Sequence, residues 1–334
     1  MPGYLTHLLF GRQAVHKLKD LPLPSDMLDV ILTYPHAFNI GAQGPDLFFY
    51  DLSCNLNPKR KLGSLMHHTK TDEYFRCCLD FLEKSNIKER KEIFTSYLAG
   101  LICHYTLDCA THPFIYWQTH YDIHSSGGLG YLATHCQYES NLDSLMLRHL
   151  KHRVPSDYNA ARFIKLTKKE AVLLGKCLSD TITATYFPDN PSAYSTPSFM
   201  KKALSSMSWK VAFLTDHGGP KRKPIELLET CTVRAHFLTS LFTIDQVKDG
   251  TDYLNKKNSL WKNPWDPFSQ SNDSFIALYQ KALSTVLERL KLLSCYYHSL
   301  SITSGDQARK EQYRKDLLDD LKDHSYNTGR SCCL

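Results

Sequence analysis

The feature that most constrains the fold is one apolar segment, residues 97–117, which reads YLAGLICHYTLDCATHPFIYW. Its apolar side chains recur at helical spacing together with those just before it, so we predict an α-helix over residues 89–112. The most hydrophobic part of this helix also carries His104, Asp108 and His112, each four residues from the next. The segment therefore has to serve both a hydrophobic core and a polar site.

Helical spacing limits what these three side chains can bind. Residues four apart lie on one face with Cβ atoms about 6 Å apart, so His104 and Asp108 can ligate one metal ion. His104 and His112 are separated by about 12 Å along the axis and cannot share an ion. The arrangement favours a cluster of two or more metals with Asp108 between them over a single tetrahedral zinc site. Because proline disfavours α geometry in the residue before it, we expect Pro113 to end the helix at His112.

A second pair with the same spacing follows. His135 and Glu139 precede another apolar helical run, and a histidine with a carboxylate at this spacing is half of a zinc site. His112 could complete it. An isolated pair of this kind is more often an ordinary buried or surface pair. Two pairs within 36 residues, in a chain with twelve of its 16 histidines before residue 153, favour the metal interpretation.

The rest of the chain also has helical periodicity. Thr167 and Glu170 predict a capping box that opens a helix. A later segment, residues 272–300, carries one apolar stripe, and residues 305–325 predict a charged peripheral helix. We predict an all-α single domain: residues 1–155 form the metal-site core, 156–305 complete it, and 306–334 form a peripheral helix and tail.

Composition excludes several classes of protein. The net charge of +6, from 40 basic and 34 acidic residues, comes without a basic block, so nucleic acid is not an expected partner. We find no signal peptide and no apolar run that would span a membrane, and we expect a cytoplasmic protein. The eleven cysteines are then expected to be reduced.

The ordered set of His, Asp and Glu residues resembles the bacterial zinc-dependent phospholipase C family, whose relatives include the fungal single-strand-specific zinc nucleases. The resemblance covers about residues 1–150 through motifs, and no single motif carries it alone. The matching positions, in chain order, are His7, Asp46, His67, His104, Asp108, His112, His135 and Glu139.

The resemblance implies an all-helical fold with a cleft that holds two to three Zn²⁺ ions. It assigns the first zinc to Asp46, His67, His104 and Asp108, and the second to His112, His135 and Glu139. It assigns the third to His7, the bridging Asp108 and the amino group and carbonyl of the first residue. It also implies that Asp46 is the general base for the attacking water.

Three departures from the family pattern affect these assignments. The chain begins Met1-Pro2, and we expect that removal of Met1 leaves Pro2 to supply the amino and carbonyl ligands. The four-residue interval between Asp108 and His112 is slightly shorter than in the secreted lipases. His67 and His68 are adjacent, so only one can point inward, and the family pattern favours His67.

The function expected from the resemblance is a zinc-dependent phosphodiester hydrolase. Its substrate would be a phospholipid or a smaller phosphodiester, with transient contact to a membrane surface. No second β-sandwich domain for membrane docking is evident, which leaves the substrate open. The alternatives are a zinc-dependent nuclease and a helical metal-binding scaffold without turnover.

Overall fold

The computed structural model describes residues 3–50, 62–122, 124, 128–216, 219–232, 236–247, 249–301 and 307–332. Within these ranges the chain forms thirteen α-helices, four short 3₁₀ turns and one two-stranded sheet. The predicted all-α fold class is therefore confirmed. No helix in the described part of the chain combines the length and the apolar character needed to cross a bilayer.

The helices pack around one continuous hydrophobic core. In chain order they are α1 (Tyr4–Leu18), α2 (Asp26–Thr33), α3 (Pro35–Gly41), α4 (Leu62–His68), α5 (Thr71–Lys84), α6 (Lys88–Gln118), α7 (Leu129–Lys151), α8 (Lys168–Tyr186), α9 (Pro197–Leu214), α10 (Arg222–Thr232), α11 (Phe237–Ser240), α12 (Phe275–Ser299) and α13 (Gln307–Leu321). The strands β1 (Trp261–Asn263) and β2 (Asp266–Ser271) pair antiparallel.

Helix α6 is the centre of the fold. Nearly every side chain from Ile93 to Ile115 is buried, and the helix packs against α1, α2, α3 and α12. A helix that is buried on all sides needs apolar residues on all faces, which explains the long apolar run. Polar side chains within that run consequently face protein rather than water.

The predicted helix end at His112 is wrong. Helix α6 continues through Pro113 to Gln118. A proline inside a helix removes one hydrogen bond, here the one to the carbonyl of Cys109, and costs about 3 kcal/mol. Phe114 and Ile115 are buried in the core directly after it. Burial of two such side chains contributes about 1.5–3 kcal/mol each, which offsets the cost and keeps the last turn helical.

Two glycines bring α3 and α6 into backbone contact. A Cβ atom added at Gly41 would lie 2.0 Å from the carbonyl oxygen of Tyr97, and one added at Gly100 would lie 2.0 Å from that of Phe38. No other residue fits at either position. This contact fixes the distance between α3, with the turn that follows it, and the part of α6 that carries His104.

The structure confirms the helix signals of the second half of the chain. Thr167 caps α8, and its hydroxyl and the carboxylate of Glu170 exchange hydrogen bonds with each other's backbone N–H groups. Ser274 caps α12 through the backbone N–H of Ala277. The predicted stripe of α12 is buried throughout, namely Phe275, Leu278, Tyr279, Ala282, Val286 and Leu290.

The segment that follows α13 is not a peripheral tail. Ser325, Tyr326 and Asn327 are buried, and Tyr326 is only 1% exposed. The charged pattern of α13 suggested a solvated end of the chain, but the residues after this helix return to the core beside α4 and α6. The domain boundaries at residues 155 and 305 stay a prediction.

Candidate metal centre

Three groups of buried ligand-type side chains lie together in the first half of the chain. The groups are His7 with Asp46 and His104, His67 with His104 and Asp108, and His112 with His135 and Glu139. Within each group the ligand atoms lie within 4.8 Å of one another, and every member is buried. They come from α1, the 3₁₀ turn Gly44–Phe48, α4, α6 and α7.

The carboxylate of Asp108 lies at the centre of this arrangement. Its Oδ2 is 3.0 Å from Nε2 of His104 and 3.8 Å from Nε2 of His67. Its Oδ1 is 3.0 Å from Nε2 of His7 and 3.6 Å from Nε2 of His112. The two oxygens therefore face different histidines, which is the geometry that a carboxylate shared between neighbouring ions requires.

The third group, formed by His112, His135 and Glu139, is built by α6 and α7. Oε1 of Glu139 lies 3.1 Å from Nε2 of His135 and 3.4 Å from Nε2 of His112. His135 and Glu139 share a face of α7 because they are one turn apart, and His112 reaches them from the last turns of α6. The sequence expectation that His112 joins this pair agrees with the geometry.

A tight turn brings Asp46 to the first group. Oδ1 of Asp46 lies 3.1 Å from Nε2 of His67, and its Oδ2 lies 4.0 Å from Nε2 of His104. Gly44 has φ +52°, and a Cβ atom there would lie 2.3 Å from Cδ2 of His104. Glycine is needed at this position because the turn is left-handed and rests directly on the imidazole ring.

Backbone carbonyls orient three of the histidines. Nδ1 of His67 donates to the carbonyl of Gly63 at 2.6 Å, and Nδ1 of His104 donates to that of Ala42 at 3.2 Å. Nδ1 of His112 donates to the carbonyl of Tyr326 at 3.0 Å. Hydrogen bonds of this kind fix the tautomer and ring orientation of metal-binding histidines. Each ring then directs Nε2 towards the carboxylates.

This orientation leaves lone pairs facing lone pairs. With the proton on Nδ1, a neutral imidazole presents an acceptor at Nε2, and an ionised carboxylate offers only acceptors. The buried Nε2 atoms of His67, His104 and His112 and both oxygens of Asp108 make no hydrogen bond with acceptable geometry. Buried polar atoms are rarely left this way. A cation among them, a proton or a metal, resolves the conflict, and the imidazole and carboxylate donors fit Zn²⁺.

The pKa values of these groups reflect their mutual proximity. Burial alone would raise the pKa of Asp108, but the imidazoles of His104, His112 and His7 hold it well below its usual value. For His112, burial is outweighed by the carboxylates of Asp108 and Glu139, which raise the pKa to about 9. The carboxylates are therefore anionic and attract cations at neutral pH.

A small cavity lies between the groups. Its volume is about 20 Å³, and Gly3, His7, Asp108, His112 and Glu139 contribute to its lining. A cavity needs about 10–15 Å³ to hold one water molecule. The space between α1, α6 and α7 thus admits one group of that size beside the Asp108 carboxylate.

The structure brings together the predicted site residues from His7 to Glu139. The remaining one, Pro2, lies outside the described residues, so its assignment to a third zinc stays a prediction. Of the adjacent histidines, His67 faces Asp46, whereas His68 is exposed and contacts Ser64 and Asn327 through its two ring nitrogens. This geometry favours His67 over His68 as the ligand.

Sequence reasoning missed a carboxylate that holds the start of α1. Asp143 is fully buried and accepts from the N–H groups of Leu5 and Thr6 at 2.9 and 2.7 Å, and from the Thr6 hydroxyl at 2.7 Å. These bonds hold the first turn of α1 in place directly before His7. A signal was present, because Asp143 continues the four-residue interval of His135 and Glu139.

Comparison with known proteins agrees with the geometry. Residues 6–187, more than half of the chain, match the family described as zinc dependent phospholipase C. The chain therefore belongs to the zinc-dependent phospholipase C family. No curated protein and no solved structure matches it. The family and the three ligand groups together support a zinc-dependent, phospholipase-like hydrolase.

Proposed function

We propose that the protein hydrolyses a phosphodiester bond of a phospholipid or of a smaller phosphodiester, with two to three Zn²⁺ ions as cofactor. The observation that carries this proposal is that the Nε2 atoms of His67, His104 and His112 face the Asp108 carboxylate, while their Nδ1 atoms donate to backbone carbonyls. A preorganised, anionic and buried donor set is what a catalytic metal cluster requires.

The proposed ligands divide as the three groups do. Asp46, His67, His104 and Asp108 would hold one ion, and His112, His135 and Glu139 a second. His7 and Asp108 would contribute to a third, with Pro2 as the further ligand expected from the sequence. Zinc at such a site supplies a Lewis acid that neutralises charge on phosphoryl oxygens and makes water a better nucleophile at neutral pH.

Asp46 is the proposed general base. Its carboxylate is buried at the edge of the first group, and its Oδ1 makes no hydrogen bond with acceptable geometry. An ionised carboxylate in this position can accept the proton of an attacking water. Backbone contacts of the turn Gly44–Phe48 with the His104 ring hold it there.

A lipid substrate also requires contact with a membrane surface. The hairpin formed by β1 and β2 lies beside the candidate site and carries an exposed aromatic residue. The Trp265 ring lies 4.8 Å from the Tyr116 ring, which lies 4.6 Å from the His135 ring. Phe268, on β2, is 96% exposed. Transient membrane contact is part of the proposal, with the exposed Phe268 as the side chain that would reach the lipid.

The test compares wild type with His104→Ala and with His16→Ala, which alters an exposed histidine of α1. Each protein is stripped of metal, reconstituted with zinc and assayed on vesicles of phospholipids with different head groups, a chromogenic phosphodiester and single-stranded DNA. We expect two to three zinc ions per chain and hydrolysis of a phospholipid or of the chromogenic phosphodiester by wild type and His16→Ala. His104→Ala should lose both.

Other outcomes identify the alternatives. Hydrolysis of DNA alone would establish the nuclease. Full zinc occupancy without turnover of any substrate would favour the metal-binding scaffold. Absence of zinc from the reconstituted wild type would refute the metal centre itself.

A further inference from the structure

We infer that the loop of residues 325–330, near the C-terminal end of the described chain, positions two histidine ligands of the metal centre and thereby sets its zinc affinity. The inference rests on the proposed function, because it concerns the same histidines. The loop lies outside residues 6–187, over which the chain matches its family. It is therefore a contribution of this chain beyond the matched segment.

Two of the proposed ligands are held by the backbone of this loop. The carbonyl of Tyr326 accepts from Nδ1 of His112 at 3.0 Å, which leaves Nε2 for the metal. The N–H of Tyr326 and the hydroxyl of Ser325 donate to the carbonyl of His67 at 3.0 and 2.9 Å. One short segment thus fixes the ring of His112 and the end of the helix that carries His67.

The side chain of Tyr326 adds a second contact with the same centre. Its ring centroid lies 5.1 Å from that of His67 and 5.8 Å from that of His104. It also packs edge-on against Tyr105 at 4.9 Å. A rigid aromatic ring beside two imidazoles limits their motion, because little free volume remains around them.

The loop packs against the part of α6 that Pro113 alters. Proline at this position leaves the carbonyl of Cys109 without its helical donor. Gly329, with φ +62°, packs against that carbonyl so closely that an added Cβ atom would lie 2.4 Å from its oxygen. The sulfhydryl of Cys109 also contacts the carbonyl of Ser325 at 3.6 Å.

The loop is also closed on itself and tied to the hairpin. The N–H of Gly329 donates to the carbonyl of Ser325 at 2.9 Å, and the N–H of Ser325 donates to that of Arg330 at 2.8 Å. Asn263 donates to the carbonyl of Thr328 at 3.0 Å, and Arg330 pairs with Asp266 at 2.8 Å. A closed loop of this kind moves as one unit, so a displacement at Gly329 is transmitted to the carbonyl of Tyr326.

The test uses Gly329→Ala, with Gly250→Ala as the matched control. Both glycines have positive φ, at +62° and +76°, so alanine meets the same backbone strain at each position. Only Gly329 has a neighbour within 4 Å of the added methyl group. Zinc affinity is measured by competition with a chromogenic chelator, and circular dichroism of the zinc-free proteins monitors folding.

We expect Gly329→Ala to bind at least one zinc about 10–100-fold more weakly than wild type, the usual effect of losing an outer hydrogen bond to a ligand. Gly250→Ala should bind zinc as wild type does. A histidine ¹⁵N spectrum of the zinc-free protein should show loss of the Nδ1–H signal of His112 in Gly329→Ala alone. A general loss of stability would not produce that change.

Equal zinc affinity in Gly329→Ala and wild type would overturn the inference and leave the proposed function intact. Absence of zinc from wild type would overturn both. Should Gly329→Ala fail to fold, Ser325→Ala decides the question, because it removes only the hydroxyl that donates to the carbonyl of His67 and accepts from the N–H of Asn327 within the loop. Its zinc affinity is expected to fall several-fold, and an unchanged affinity would count against the loop.

Discussion

Nε2 of His104 lies 3.0 Å from Oδ2 of Asp108, one turn further along the same buried helix. The other nitrogen of His104 donates to the carbonyl of Ala42, so the two atoms that face each other both carry lone pairs when the histidine is neutral. Such a pair is stable in a protein interior only with a cation between its members. The relationship makes Asp108 the residue on which the proposed cluster depends most.

Asp108→Asn should therefore abolish most zinc binding. The amide keeps the size of the side chain but removes the negative charge that four imidazoles face. We expect the affinity to fall by about 100-fold or more, beyond the range for outer-sphere partners, as measured by zinc content after dialysis. Glu92→Gln, which also replaces a carboxylate with an amide but on an earlier turn of α6, is the control. Retention of two or more ions by Asp108→Asn would refute the bridging role.

Zinc binding should release protons at neutral pH. In the zinc-free protein, the carboxylates of Asp108 and Glu139 outweigh the effect of burial and raise the pKa of His112 to about 9. His112 is thus protonated below that pH and must lose a proton before it can bind zinc. The zinc affinity should rise with pH up to about 9 and then level off.

Calorimetric titration with zinc in buffers of different ionisation enthalpy measures the number of protons released. We expect release at pH 7 and 8 and less above pH 9, and His16→Gln should behave as wild type. The same proton stabilises the zinc-free fold: because the pKa is raised above 6.5, this contribution is complete below about 6.5 and is lost as the pH rises through 9. A zinc affinity that does not change between pH 6 and 8 would contradict this account.

Asp143→Ala should destabilise the fold and weaken the zinc site together. The substitution leaves the N–H groups of Leu5 and Thr6 and the Thr6 hydroxyl without their buried acceptor. Each unsatisfied group costs about 1–3 kcal/mol, so the free energy of unfolding in urea should fall by about 3 kcal/mol or more. Ser144→Ala, a buried neighbour bonded within α7, should have a much smaller effect. Equal losses in the two variants would show that Asp143 holds nothing specific.

His67→Ala and His68→Ala should separate the two adjacent histidines. The His67 ring faces Asp46 and Asp108, whereas the His68 ring is exposed and fully bonded to other groups. We expect His67→Ala to lose the zinc held by the first group, and His68→Ala to retain all zinc with near wild-type stability. The reverse pattern, read by mass spectrometry of the native proteins, would assign the ligand to His68.

Local periodicity made much of the fold and two parts of the candidate site predictable, whereas His7, Asp46 and His67 were expected only from the family resemblance. The helices α6, α8 and α12 and the capping box of Thr167 follow from residue types at helical intervals. The pairs His104 with Asp108 and His135 with Glu139 follow from the same spacing. These features are local, so they depend on few other parts of the chain.

The features that escaped prediction depend on contacts distant in sequence. The bond from His112 ends at a backbone carbonyl 214 residues away, and a carbonyl has no residue-type signal. The path of α6 through Pro113 depends on how Phe114 and Ile115 pack against the rest of the core. The buried loop after α13 carries polar residues whose partners belong to α4 and α6, so its composition alone suggests solvent.

The contact of Gly41 with Gly100 makes the position of the His104 turn independent of side-chain packing in the core. Because main chain touches main chain there, the spacing between α3 and the His104 turn of α6 does not depend on how side chains repack. A protein engineer could therefore exchange core residues elsewhere to tune thermal tolerance while the ligand spacing stays constant. The two glycines keep the distance between α3 and α6 constant. They are the positions that a stabilised variant or a directed-evolution library should leave unchanged.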